Sequence, residues 1–236
     1  MLYLIGLGLN ERGISKEGLL ALEKCKKVYL EGYTVDFPYK ISELNLGKKK
    51  IVKLGRADVE SDKLIKEAKS VKIALLVYGS PLFATTHVSL LLDAQKQGVR
   101  TRVIYSASVF DALAETGLQL YKFGKITSMP KWGTNFEPDF MHYVYENQKI
   151  KAHSLILVDI GLEYEQALIQ LKENANKNKV KISKFVLCSA LGTENQEIYY
   201  GTYEKLKKKR IKKPFCFIIP EDMHFLEQEV LESYNL

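Results

Sequence analysis

The residues of this chain able to do chemistry are few, and they gather at the ends of apolar runs. YGSPLFATTH at 78–87 places Ser80, Pro81 and His87 directly after the run IALLV. IGLGLNERG at 5–13 sets two glycines after another run, and Asp159 closes a third, LILVDI. His224 follows a fourth, FCFIIP. Such runs read as buried strands, and in open α/β sheets ligands bind outside the strands' carboxyl ends. Ser80 offers a hydrogen bond there, or merely caps a turn before Pro81. His87 is a conceivable proton acceptor, although a histidine opening a helix is more often a packed one. Asp159 could orient an amine or cap the next helix, since a lone carboxylate at an apolar strand end needs a partner. No two of these residues are spaced as an acid–base dyad, and no general base is assigned.

Dinucleotide and metal chemistry find little support. The dinucleotide fingerprint needs Gly-x-Gly-x-x-Gly so that its third glycine lets helix and strand approach. Gly6 and Gly8 fit, but the third place holds Glu11 and the next glycine is Gly13. Glu31 ends the second strand, where a ribose-binding acid would lie, but one match does not restore the motif. The simpler reading is a tight glycine turn, which can still line another ligand. Cys25, Cys188 and Cys216 are far apart and without Cys-x-x-Cys spacing, so they read as buried small hydrophobes. The four histidines lack ligand spacing, and no metal site is expected.

Alternating strands and helices must position these groups. Strands are expected at 2–6, 28–33, 50–54, 73–79 and 101–106. Helices are expected at 15–26 behind a Ser15 cap, at 59–69 behind Asp58, and at 86–97 ending at Gly98. This alternation predicts an α/β fold with a parallel sheet in a first domain, 1–110. In a second domain, 111–236, strands are expected at 155–160, 184–190, 197–201 and 215–220. Helices there fall near 136–150, 162–177, 202–210 and 222–234. LGTENQ is too short for a parallel crossover, so the strands it joins pair antiparallel and the second sheet is mixed.

Composition sets broader bounds. The 236 residues are 46% hydrophobic and 27% charged, ordinary for a globular protein. No apolar run approaches the ~20 residues of a membrane span, and MLYLIGLGLN has no basic region or cleavage site of a signal peptide. No membrane partner and a cytoplasmic location are therefore expected. The net charge of +7 comes largely from Lys48–Lys50 and from EKLKKKRIKK at 204–213, read as solvated lysines that could steer an acidic partner. No aromatic-interleaved basic motif occurs, and direct nucleic-acid binding is not expected.

Taken together, several segments resemble the diphthine synthases, a branch of the S-adenosylmethionine-dependent tetrapyrrole methylase superfamily. They are YLIGLGLNERGIS, LEGYT at 30–34, GRADVE at 55–60, PLFATTH at 81–87 and ASVFDALAETGLQLYKFGK at 107–125. PKWGTNFEPDF at 130–140, LILVDI and IIPEDMHFLEQEVLESY at 218–234 complete them in order. The ATTH and TGLQLYKFGK runs are specific to the branch. The resemblance implies a two-domain tetrapyrrole-methylase-like fold, usually homodimeric, with S-adenosyl-L-methionine in a cleft between the domains. It implies methylation, expected to be trimethylation, of the amino group of a 3-amino-3-carboxypropyl-histidine on elongation factor 2. Diphthine, the product, is the precursor of diphthamide.

The family's cofactor contacts fall on Leu9, Ser80, Phe83, Ser108, Val109, Val158, Ala190 and His224. Ser80 stands where the family's Gly-Asp-Pro loop carries aspartate, which keeps an acceptor and removes a charge. Trp132 and Phe136, in KWGTNFEPDF, could pack on the protein substrate or cover the second domain's core. Two other readings are a precorrin-type tetrapyrrole methyltransferase and a non-catalytic binding protein that has lost the cofactor along with the aspartate.

Overall fold

The computed structural model describes residues 1–47, 49–131 and 139–236, so Trp132 and Phe136 lie outside the described residues. The chain divides into two compact units, Met1–Val109 and Phe110–Leu236.

In the first unit, β1 (Leu2–Gly6) and β4 (Ile73–Val77) are buried at every position. Continuous apolar runs of this kind belong to parallel strands covered on both faces. With β2 (Lys27–Glu31), β3 (Ile51–Leu54) and β5 (Thr101–Ile104) they form an all-parallel sheet in the order β3-β2-β4-β1-β5. Side chains alternate between its faces. Leu2, Leu4, Leu75 and Val77 meet Leu64 and Ile65 of α3 (Lys63–Ser70) and Leu90 and Ala94 of α4 (Val88–Lys96). Tyr3, Ile5, Ala74 and Leu76 meet Ala21 and Leu22 of α1 (Lys16–Glu23).

The caps follow the sequence in two places and depart from it in a third. Ser15 Oγ accepts from the Gly18 N–H at 3.1 Å and opens α1. Gly98, at φ +70°, follows α4 as its stop signal predicts. Asp58, however, caps no helix at 59–69. It lies inside the single turn α2 (Arg56–Val59), and α3 starts only at Lys63. Ser61 interrupts the helix, donating from Oγ to the Asp58 carbonyl and accepting from the Lys63 N–H, a local bond that competes with helix. Ser15→Ala is expected to cost about 1 kcal/mol, read as a lowered thermal midpoint of a protein that still folds.

The chain enters the second unit within α5 (Val109–Ala112). The sheet there combines β6 (Thr127–Met129), β7 (Ser154–Val158), β8 (Phe185–Ser189), β9 (Glu197–Gly201) and β10 (Phe215–Ile219) in the order β6-β7-β10-β8-β9. β6 and β7 are parallel, while β10 runs antiparallel to β7 and β8, and β8 to β9. The mixed sheet and the antiparallel pair around LGTENQ are as expected. Its core joins Ile156, Leu187 and Phe217 to Phe140 and Val144 of α6 (Phe140–Lys149) and to Leu168 and Leu171 of α7 (Tyr164–Lys177).

The last helices are α8 (Tyr203–Leu206) and α9 (Phe225–Glu232). α8 stops well short of 210, where four successive basic residues would repel one another along a helix. Part of the basic segment is engaged at the surface: Lys207 pairs with Glu204, Lys213 with Glu163, and Lys209 lies 4.1 Å over the Tyr199 ring. Cys25, Cys188 and Cys216 are free and buried, as small hydrophobes. Among the described residues no helix is long and apolar enough to cross a membrane, and no cluster of three potential metal ligands occurs.

Candidate functional site

The order of the first sheet creates a crevice. From β1 the chain crosses toward β2 by way of α1 on one face; from β4 it crosses toward β5 by way of α4 on the other. The exits of these adjacent strands therefore diverge, which defines the switch point where open α/β sheets bind ligands. The two exits are also bonded to each other. Leu7 N–H donates to the Val77 carbonyl at 2.8 Å, Gly8 N–H to Gly79 at 3.2 Å, and Gly79 N–H back to Gly8 at 3.0 Å. This approach explains the glycines. A Cβ on Gly6 would lie 2.6 Å from the Gly79 carbonyl oxygen, and Gly8, at φ +70°, packs against the Gly13 backbone. Gly13 thus serves the turn's packing rather than a dinucleotide.

The loop after β4 closes on itself. Phe83 N–H donates to the Ser80 carbonyl at 3.2 Å, while Thr85 Oγ1 and His87 Nδ1 both donate to the Pro81 carbonyl, at 2.9 and 3.1 Å. Gly-Ser-Pro therefore ends the strand, and the following Thr-Thr-His clamps the turn. Ser80 is half-buried, and its hydroxyl makes no hydrogen bond among the described residues. His87 is buried and holds the loop in shape.

Leu9, Ser80, Phe83, Ser108 and Val109 all stand on the exits of β1, β4 and β5, three neighbouring strands. Leu9 is buried, and its carbonyl accepts from Tyr78 Oη at 3.1 Å. Phe37 packs edge-on against Tyr78, with ring centroids 5.3 Å apart. Ser108 is buried just before α5, and Ser106 Oγ donates to the Gly13 carbonyl at 2.7 Å, tying the β5 exit to the glycine turn. Glu31 is no ribose ligand. Buried, it accepts from the N–H groups of Tyr33 and Thr34 and from the Thr34 hydroxyl, which accounts for LEGYT.

In the second unit the chosen positions separate. Val158 ends β7 and Ala190 follows β8, parallel strands that share a carboxyl edge. Ala190 is held at φ +46°, a strained setting for a residue with a Cβ, by its N–H bond to Pro214 and by Thr193 on its carbonyl. β10 points the other way, so His224 stands at the opposite edge. There it caps α9, its Nδ1 accepting from the Leu226 N–H at 3.4 Å. Asp159, expected in an apolar setting, is exposed, and its Oδ1 accepts from the Ile160 N–H, a local turn.

Beside His224 lies a group the sequence did not single out. Glu227 is fully buried and accepts from Lys122 Nζ, from the N–H groups of Gln119 (2.8 Å) and His224 (2.7 Å), and from His153 Nε2 (3.3 Å). His153 Nδ1 in turn accepts from the Glu221 N–H at 3.0 Å.

The family model for tetrapyrrole (corrin/porphyrin) methylases matches residues 1–207. The diphthine methyl ester synthase of Schizosaccharomyces pombe is 32% identical, over 99% of this chain and 94% of its own length. The diphthine synthase of Methanocaldococcus jannaschii is 37% identical over 98% of each chain. The chain belongs to the diphthine synthase branch of the tetrapyrrole methylases. A crystal structure of a diphthine synthase superposes with a TM-score of 0.89 at 32% identity, covering 99% of this chain and 95% of that one. The protein is accordingly a methyltransferase of the tetrapyrrole methylase fold. Within this branch member, Glu227 joins two of the family-like runs, TGLQLYKFGK and IIPEDMHFLEQEVLESY, so those runs record a structural junction.

Proposed function

We propose that this diphthine synthase relative uses S-adenosyl-L-methionine to methylate the amino group of a 3-amino-3-carboxypropyl-histidine on elongation factor 2, up to the trimethylated product, in diphthamide biosynthesis. A homodimeric state accompanies this reading. The observation that carries it is the β1–β4 crevice, with its bonded glycine exits and the closed Ser80 loop. Its donor set fits a nucleoside cofactor: Leu9, Phe83 and Val109 supply apolar walls, while Ser80 and the backbone beside Ser108 supply polar contacts.

When bound, the cofactor supplies a methyl group on a cationic sulfonium. The chain's part is to hold the unprotonated substrate amine in line with that methyl, and orientation provides most of the rate in such a displacement. An amine that has shed its proton to solvent needs no dedicated base, in keeping with the lack of a dyad. Thr85 and His87 keep the Pro81 turn rigid, fixing Ser80 at the crevice. Ser80 brings a dipole where a carboxylate would bring charge, a difference of roughly 0.2–1 kcal/mol near a surface and more in a dry cleft.

Titration calorimetry with S-adenosylhomocysteine tests the reading. The expected result is micromolar binding by the natural protein and severalfold tighter binding by Ser80→Asp. Heat from the variant alone would mean that the scaffold persists without a working cofactor site, and the binding-protein reading would replace this one.

A further inference from the structure

Apart from the β1–β4 crevice, the first unit contains a small solvent-open recess. It lies between the exit of β2, the α2–α3 break and the first turns of α4. Tyr33, Glu60, Asp62, His87 and Asp93 are among its lining residues. Two buried polar atoms in this lining have no hydrogen-bond partner among the described residues: His87 Nε2 and Tyr33 Oη. His87 is only 2% exposed. Because its Nδ1 donates to the Pro81 carbonyl, Nε2 is the ring nitrogen left to accept. A buried acceptor without a donor is costly, and native proteins rarely leave one so. The Tyr33 hydroxyl stays protonated and able to bond: burial first, then Glu31 and Glu60, push its pKa up to about 12.

Charge decides what kind of donor fits. Glu60, Asp62 and Asp93 form the acidic part of the lining; among the described residues no lysine or arginine lines the recess, although the Arg56 guanidinium lies 5.1 Å over the Tyr33 ring. The amino ends of α3 and α4 also lie here and favour anions, each by about half a positive charge. Three carboxylates outweigh them. Those carboxylates have outer partners, Arg56 at 3.4 Å, Lys66 at 3.9 Å and Lys96 at 3.4 Å, but such exposed pairs are weak and exchangeable.

We propose that this recess is a binding site for an organic cation bearing N–H donors, a primary ammonium or guanidinium. Its N–H meets His87 Nε2 and Tyr33 Oη, and its charge faces Glu60, Asp62 and Asp93. The occupant is either a basic side chain of a protein partner or a free amine. It sits one imidazole ring away from the Pro81 carbonyl, and so bears on the loop that carries Ser80.

The test uses the intact protein labelled with [15N]histidine and titrated with n-butylammonium chloride at constant ionic strength. The two buried histidines are distinguishable by tautomer, since His87 carries its proton on Nδ1 and His153 on Nε2. A saturable shift of His87 Nε2 is expected, absent with tetramethylammonium, which has no N–H. Asp62→Asn/Asp93→Asn, at one exposed and one half-buried position outside the cores, should weaken binding roughly fivefold. Comparing N-acetyl-lysine methylamide with putrescine assigns the source to whichever binds more tightly. No shift with butylammonium, as for a recess holding only water, would overturn the proposal. So would equal shifts from both cations, an unchanged double variant, or a response to inorganic phosphate instead. None of these readouts involves the methyl donor, so failure here and failure of the proposed methylation remain separable.

Discussion

Glu227→Ala should destabilise the protein by about 3–5 kcal/mol, the usual cost of removing one partner from a buried ionic network. Four losses combine at this position. Lys122, with its side chain only a quarter exposed, is left without its carboxylate, while the N–H groups of Gln119 and His224 and the ring of His153 each lose their acceptor. The same residue shapes the acid limb of stability. Burial opposes its charge, but Lys122, the Gln119 and His224 N–H groups and His153 prevail, and the carboxyl pKa is lowered to about 2. A depressed carboxyl pKa gives stability that is fully present above the unfolded value of about 4.5 and is lost as pH falls toward 2. His153 starts the decline earlier. Burial, opposed by Glu227, lowers its pKa below the ordinary 6.5. As pH falls below 6.5, the unfolded chain binds a proton that the folded chain refuses, and stability drops. Urea titrations between pH 7 and pH 3 should show this two-stage fall in the natural protein, and a much shallower second stage in Glu227→Gln. A Glu227→Ala cost below about 1 kcal/mol would mean that the network adds little beyond an ordinary hydrogen bond.

Gly6→Ala should abolish S-adenosylhomocysteine binding and leave the chain folded. Its new Cβ would lie 2.6 Å from the Gly79 carbonyl oxygen and 3.0 Å from Ser106, and the first of these neighbours is backbone. Neither exit can yield without breaking the Gly8–Gly79 bonds that join the two loops. Overpacking of this kind costs about 1–3 kcal/mol, which the long β1–β4 pairing from Leu2 to Gly6 can absorb. Calorimetry beside far-ultraviolet circular dichroism separates the two effects. Unchanged cofactor affinity in a folded variant would remove the β1–β4 crevice as the cofactor site.

What the sequence disclosed follows from how local each signal is. IALLV, LYLIG and FCFII are apolar runs whose burial is nearly complete, and the strands lie where the runs do. Ser15 caps within three residues, and LGTENQ joins its strands in six, so both were readable. β6 was not, because three residues of TSM carry no period and are recruited only by β7. Asp58 misled because the helix break depends on the Ser61 hydroxyl rather than on helix propensity. Glu227 was invisible for a plainer reason: its partners Gln119 and Lys122 lie more than a hundred residues away. Ser80 and the glycine turn were found as strand ends, while Leu9, Phe83, Ser108 and Val109 came from the family resemblance; the clamp on Pro81 and the bonds between Gly8 and Gly79 needed the folded chain. His224 also needed the fold, since a strand end read without its direction does not say which sheet edge it faces, nor that its ring caps α9.

The place of β1 also governs when the first unit can form. Leu2–Gly6 pairs only with β4 and β5, whose first residues are Ile73 and Thr101. Only β2 and β3 can join before then. At roughly 5–20 residues per second of synthesis, the most apolar end of the chain waits several seconds outside the ribosome with no strand to receive it. Pairings this distant in sequence are slow to close. The β1 run is therefore a segment in need of a chaperone during synthesis, because its burial at every position leaves no place for a polar residue.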